Sequence, residues 1–324
     1  MKRTLVFVLI VSMILLVSCG GSSEGGRFGS GDKVKGDEEW LTGTKGLDMK
    51  LADSSTLTVP AEQNEAAQFD VILENLGREE IDVTLMLSGF DSNYISFDKP
   101  ATTKLTGKSR YGPGQLQYVT VNSNKVTLSF SSQGAGAAGI RRLEQPVTVN
   151  ACYTEKTRVQ VPICVDLDPL RDGSCPTENT ISVPKGQGAP VGLSSLTYKS
   201  YRMDEKNIRL NLDFTFQQFD KSNDAKVFDK DFTGLCTATA SSPEMLQKEN
   251  DVYFQFTSDF GKNMDCPGLT DKDSGGTFDI VRRPTIRCFV NVLVTGDSLN
   301  SVLDFMLEYK MWQKVTQPIV IEKY

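Results

Sequence analysis

From about residue 41 to 170, apolar and polar residues alternate with a period of two. Phe69, Val71 and Leu73 fall in one phase, and Gln68, Asp70 and Glu74 in the other. Val83, Leu85 and Leu87 alternate with Asp82, Thr84 and Ser88, and Val126, Leu128 and Phe130 alternate with Lys125, Thr127 and Ser129. Short runs of this kind predict half-buried strands. Turn signals separate them at Asn75-Leu76-Gly77, Ser88-Gly89, Gly112-Pro113-Gly114 and Asn122-Ser123-Asn124. The segment Val147–Val165 reads as a β-hairpin. The pattern breaks from Asp168-Pro169 to Pro184 and resumes at Val191. Ile208, Leu210, Leu212, Phe214 and Phe216 make the clearest strand. Further strands are predicted at Val252–Phe256, Thr285–Val294, Val302–Trp312 and Pro318–Ile321. Ser242-Pro243-Glu244-Met245-Leu246 predicts one short helix, with Ser242 as N-cap.

The expected fold class is therefore all-β: two immunoglobulin-like antiparallel β-sandwiches, at 41–170 and 186–324, joined by a linker at 171–185. A different pattern precedes them. Lys2 and Arg3 lead into Leu5–Val17, an apolar run interrupted only by Ser12, and Ser18 stands before Cys19. A charged start, an apolar stretch and a small residue at the cut are the parts of a secretory signal. The run is shorter than the ~20 apolar residues of a membrane span. Residues 1–18 are expected to be a signal peptide. Residues 19–40, with their Gly-Gly-Ser-Ser and Gly-Ser-Gly pieces, are expected to be a flexible tether with a reach of ~25 Å.

Leu16-Val17-Ser18-Cys19 resembles the lipobox of prokaryotic lipoproteins, which implies that Cys19 is lipidated and becomes the mature N-terminus. Phe69-Asp70-Val71-Ile72-Leu73-Glu74-Asn75-Leu76-Gly77 resembles the strand-and-turn signature of CARDB-type and related immunoglobulin-like domains. Four further stretches are Gly43-Thr44-Lys45-Gly46-Leu47, Leu87-Ser88-Gly89-Phe90-Asp91, Ala151-Cys152-Tyr153 and Val161-Pro162-Ile163-Cys164-Val165-Asp166. With Gly186-Gln187-Gly188-Ala189-Pro190-Val191, they are similar to uncharacterised archaeal surface lipoproteins. The resemblance implies a fold and a location and carries no catalytic residues with it.

Composition narrows the chemistry. The 324 residues contain no histidine, which excludes Ser–His and Cys–His nucleophile systems and imidazole-ligated zinc. The net charge of −6 and the few basic clusters leave no broad basic face for nucleic acid. Apart from Cys19 there are six cysteines and no C-x-x-C, which in an exported chain predicts three disulfides. Cys152–Cys164 suits a cross-hairpin bridge, Cys266 and Cys288 flank the Gly275-Gly276 turn region, and Cys175–Cys236 follows by elimination.

The remaining candidate sites are thin. Gly134-Ala135-Gly136-Ala137-Ala138-Gly139 matches G-x-G-x-x-G, but Pro146 cuts off the helix that a phosphate site needs. Asp166, Asp168 and Asp172, and Asp271, Asp273 and Asp279, have the short spacing of calcium loops without the EF-hand pattern. Trp40, Trp312, Tyr111 and Tyr118 could stack on sugars. Taken together, the sequence predicts a lipid-anchored extracytoplasmic protein that is not an enzyme and needs no cofactor. Its expected partners are the membrane, through the anchor, and envelope or surface proteins or surface glycans. Its expected role is structural, adhesive or docking. The rival is an extracytoplasmic ligand- or carbohydrate-binding lipoprotein.

Overall fold

The computed structural model describes residues 43–52, 57–60, 68–98, 102–109, 112–126, 142–166, 175–176, 178–183, 186–220, 222, 224–236, 243–257, 263–269, 275–293 and 298–322. All of them fall in one compact unit. The chain is all-β, with antiparallel sheets in a sandwich-like arrangement.

Two strands of 25 residues each organise it. Strand β8 (Arg142–Asp166) and strand β16 (Ser298–Glu322) pair antiparallel along their whole lengths, from Arg142 opposite Glu322 to Asp166 opposite Ser298. At a rise of ~3.3 Å per residue this spine is about 80 Å long. Around it grows an eight-stranded sheet. Strands β4 (Ile81–Ser88) and β6 (Thr103–Leu105) extend it beyond β8, and β13 (Asp251–Phe256) and β14 (Gly275–Asp279) extend it beyond β16. Strands β12 (Ala225–Asp229) and β2 (Leu57–Pro60) also pair with β16, β2 in parallel.

Two four-stranded sheets lie against this long sheet. One has the order β1-β3-β7-β5, from Leu47–Leu51, Gln68–Asn75, Leu116–Val126 and Ile95–Phe97. The other has the order β15-β11-β10-β9, from Thr285–Leu293, Asn207–Gln218, Val191–Arg202 and Glu178–Ser182. Both cover the same face of the spine. The odd-numbered residues of β8 from Val147 to Val165 are buried, and side chains of that phase bond to both small sheets. One hydrophobic core runs through the whole, from Val71, Leu85 and Val149 to Val161, Phe214 and Phe305. In the second half, six phenylalanines (214, 216, 254, 256, 278 and 305) contact one another at ring separations of 4.7–6.4 Å.

The spine changes three expectations. Val147–Val165 is not a hairpin but the greater part of one strand. Val302–Trp312 and Pro318–Ile321 are likewise parts of the single strand β16. The boundary expected at 171–185 separates strands in sequence but not in space, because β8 lies before it, β16 lies after it, and the two share a sheet. Asn122-Ser123-Asn124, expected as a turn, lies within β7, where the ladder to β5 shifts register. The short helix α1 spans Pro243–Lys248, and Ser242 lies outside the described residues.

Straightening β8 also rearranges the disulfides. Cys152 and Cys164 lie twelve positions apart on one strand, roughly 40 Å, so no bridge can join them. Cys152 is joined to Cys236, Cys164 to Cys175, and Cys266 to Cys288, with Cα separations of 5.9, 5.3 and 4.1 Å. The Cys152–Cys236 bridge belongs to a second, smaller core on the opposite face of the spine. There Cys152 and Trp312 pack with Phe228, Phe232, Leu235 and Met245 of α1. The middle of the spine is thus covered on both faces, and Val149–Tyr153 and Met311–Gln313 are buried without alternation.

Candidate functional site: the seam over Glu155

The two small sheets meet over the middle of the spine, and the residues beneath that seam are polar. On β8 the inward phase runs Tyr153, Glu155, Thr157. On β16 it offers Tyr309, directly opposite Glu155 in the ladder. All four are buried.

Each tyrosine holds the first residue of a strand in a different small sheet. The Tyr153 hydroxyl accepts the N–H of Leu47, which opens β1, at 3.2 Å. The Tyr309 hydroxyl accepts the N–H of Val191, which opens β10, at 3.1 Å. Thr157 completes a ring. Its hydroxyl donates to the Val191 carbonyl at 2.6 Å and lies 3.1 Å from the Tyr309 oxygen. Since the threonine proton is committed to the carbonyl, the tyrosine donates to the threonine. Both backbone groups of Val191 are thereby satisfied by side chains of the spine. Burial and the neighbouring Glu155 carboxyl push both phenols well above their ordinary range, so they stay protonated.

Three glycine-bearing segments close the seam. Leu76 and Gly77 donate to the Gly46 carbonyl at 2.7 and 2.9 Å, and Arg78 donates to the Gly188 carbonyl at 3.1 Å. The Asn75 side chain fixes this turn by accepting from the Gly77 N–H and donating to the Glu79 and Leu105 carbonyls. The glycines are there for space. A Cβ on Gly46 would collide with the Glu155 carboxyl and press on the Tyr153 hydroxyl and Pro190. One on Gly77 would crowd Asn75, the Gly188 carbonyl and Glu155. The stretches at 43–47, 75–77 and 186–191, quoted above for their resemblance, thus come together around one carboxyl.

That carboxyl is the anomaly of the structure. Glu155 is 0% exposed, and neither of its oxygens has a hydrogen-bond partner. Desolvation dominates its behaviour and raises its pKa from 4.5 to about 8. The adjacent Lys156 N–H, close to the carboxyl but without the geometry of a full hydrogen bond, opposes the rise, and the charge of Glu79 adds to it. At neutral pH it is chiefly the uncharged acid. Sealed from solvent, it is out of reach of any substrate. What it can do is hold a proton between the two halves of the molecule.

The residues singled out in the sequence are placed elsewhere. Asp166 is buried at the end of β8, where it accepts the Cys175 N–H at 3.4 Å. Asp279 caps the turn after β14, accepting from Val281 and Arg282 and pairing with the Arg282 side chain. Asp168, Asp172, Asp271 and Asp273 lie outside the described residues, as do Cys19 with the leader and tether, Trp40, Tyr111 and the 134–139 glycine run. Among the described residues, no group of three or more acidic or cysteine side chains could hold a metal ion, and no helix is long and apolar enough to cross a membrane. Trp312 is buried in the second core, whereas Tyr118 is 60% exposed. A groove of about 370 Å³ runs between β1 and β16, lined by Met49, Lys50, Leu51 and Val315–Pro318. Lys50 is its one ionisable side chain and is paired with Asp48.

Sequence reasoning missed Glu155, although a signal was present: it shares its phase with Val159, Val161 and Ile163, which marks an inward position. Compared with known proteins, the chain matches no family model and no curated protein.

Proposed function

We propose that this chain is a lipid-anchored, extracytoplasmic structural or docking module, in which a stiffened two-lobed body is held outside a membrane by a tether. The observation that carries this reading is the unbroken ladder from Arg142–Glu322 to Asp166–Ser298. Sandwiches joined by a linker bend at the linker. Here, bending would break ladder hydrogen bonds at the middle of a two-stranded spine that is covered on both faces. Such a body holds two surfaces at a fixed separation, which suits a spacer or a docking platform.

Supporting the location are the leader, the lipobox-like Leu16–Cys19 and six cysteines in disulfides, which persist in oxidising compartments. Gly43 packs against Gly186 and Gly188 at the seam. A flexible tether at 19–40 would leave the body free to meet envelope or surface proteins or surface glycans.

The test is to express the chain with and without Cys19→Ser in a host that processes lipoproteins. The native chain is expected to incorporate a lipid label, fractionate with membranes and be cut from intact cells by protease. The variant is expected to lose the label. A native product found in the cytosol with its leader intact and its thiols reduced would overturn the proposal.

A further inference from the structure

Among the described residues, hydrogen bonds cross the seam and tie its two sides to the spine. Arg78 to Gly188 joins the turn after β3 to the segment that leads into β10, and Tyr153 and Tyr309 tie β1 and β10 to the spine. Beneath these bonds sits a carboxyl with no exposed surface and no hydrogen-bond partner. A charge in such a place is costly unless it is paired.

The groups that face it do not pair it. From its own strand comes the Tyr153 phenol, and from β16 the Tyr309 phenol. The turn after β3 contributes Glu79, whose like charge is itself engaged by Arg158 at 3.3 Å. Asp220, after β11, acts on Tyr153 from the side of Pro190. The Lys156 N–H favours the charged form without outweighing desolvation, and the Lys156 side chain belongs to the other phase of β8 and pairs with Glu308. Among the described residues, no cationic side chain contributes to the balance at Glu155.

We propose that the seam is a proton-operated latch: with a proton on Glu155, the segments 43–47, 75–78 and 186–191 close over it and lock the two small sheets together, and loss of that proton drives them apart. The protonated acid is a neutral group that tolerates the cradle of Gly46 and Gly77. The carboxylate must either be solvated or remain an unpaired buried charge, and solvating it means parting the glycine segments. The spine is untouched by this change, because its ladder does not run through the carboxyl. The latch therefore alters how firmly the lobes are locked, not whether they are joined.

Hydrogen exchange on the full chain tests this directly. In the closed state Glu155 holds its proton up to about pH 8, and in the open state it titrates as an ordinary carboxyl. Between those limits, opening is linked to the release of one proton, and its equilibrium constant rises tenfold per pH unit. The protection factors of the Gly77, Arg78 and Val191 amides, corrected for intrinsic exchange, are expected to fall about a hundredfold between pH 5 and pH 7. Those of spine amides such as Val161 should not follow. In Glu155→Gln the seam amides are expected to keep one protection factor across that range. Equal protection at the two pH values in the native chain would overturn the latch, and so would an unchanged hundredfold loss in the variant. The native measurement decides even where the variant folds poorly. Because exchange reads the seam and not the location, the latch and the anchored-module proposal fail independently.

Discussion

Glu155 and Tyr309 face each other across the β8–β16 ladder, the carboxyl of the first with no hydrogen-bond partner and the hydroxyl of the second with two. The pair marks the place where two small sheets share one spine. The tyrosine secures β10 through Val191, and the glutamate occupies the gap beside it. Removing the tyrosine hydroxyl strands a buried N–H. Tyr309→Phe is expected to cost about 1–3 kcal/mol in denaturant unfolding. Tyr118→Phe, at an exposed position, should stay within about 0.5 kcal/mol of the native chain.

Glu155 makes stability depend on pH with a sign opposite to that of a salt-bridged acid. Its pKa is 4.5 unfolded and about 8 folded, so between those values the native state holds a proton that the unfolded state has released. The stabilisation is complete below about pH 4.5 and is lost as pH rises to about 8, at no more than about 1.4 kcal/mol per pH unit. Other carboxylates titrate too, so the informative quantity is a difference. The Tm of Glu155→Gln minus that of the native chain is expected to grow from pH 5 to pH 8 and then level off.

The glycine cradle gives a steric prediction. Gly46→Ala places a methyl group on the Glu155 carboxyl and against Tyr153 and Pro190, whereas Gly112→Ala meets nothing within 4 Å. Thermal unfolding should show Gly46→Ala destabilised by about 1–3 kcal/mol, with Gly112→Ala close to native.

The disulfides should differ in worth. Cys152–Cys236 closes a loop of 84 residues and Cys164–Cys175 one of 11. In the chain-entropy model these contribute about 4.5 and about 3 kcal/mol. The paired alanine variants should therefore rank in that order in denaturant midpoints, and non-reducing peptide mapping should recover Cys152 with Cys236 rather than with Cys164.

Much of the fold was legible in the sequence wherever the inward phase is wholly apolar. Ile208–Phe216 reads as a strand at sight, as do Phe69–Leu73, Val83–Leu87 and Val252–Phe256. The spine was not legible, and the seam is the reason. Thr154-Glu155-Lys156-Thr157-Arg158 is polar in both phases because Glu155 and Thr157 stand where the two small sheets meet, so one strand reads as two with a turn between them. Gln313-Lys314-Val315-Thr316-Gln317 hides the continuity of β16 in the same way, with Gln313 and Gln317 buried. The false hairpin then led to the false Cys152–Cys164 pairing. The meeting of Gly46, Gly77 and Gly188 depends on contacts between residues far apart in sequence, which periodicity does not encode.

The continuity of the spine is the claim on which the rest depends, and pulsed dipolar spectroscopy tests it most directly. Spin labels attached at Arg142 and Val302 by non-cysteine chemistry sit on exposed positions of β8 and β16. Val302 lies opposite Pro162, twenty residues along the spine from Arg142, or roughly 65 Å. At pH 5 the account predicts a single narrow distance distribution near that value. A broad distribution, or several shorter distances, would mean that two separate lobes move about a joint and would contradict it.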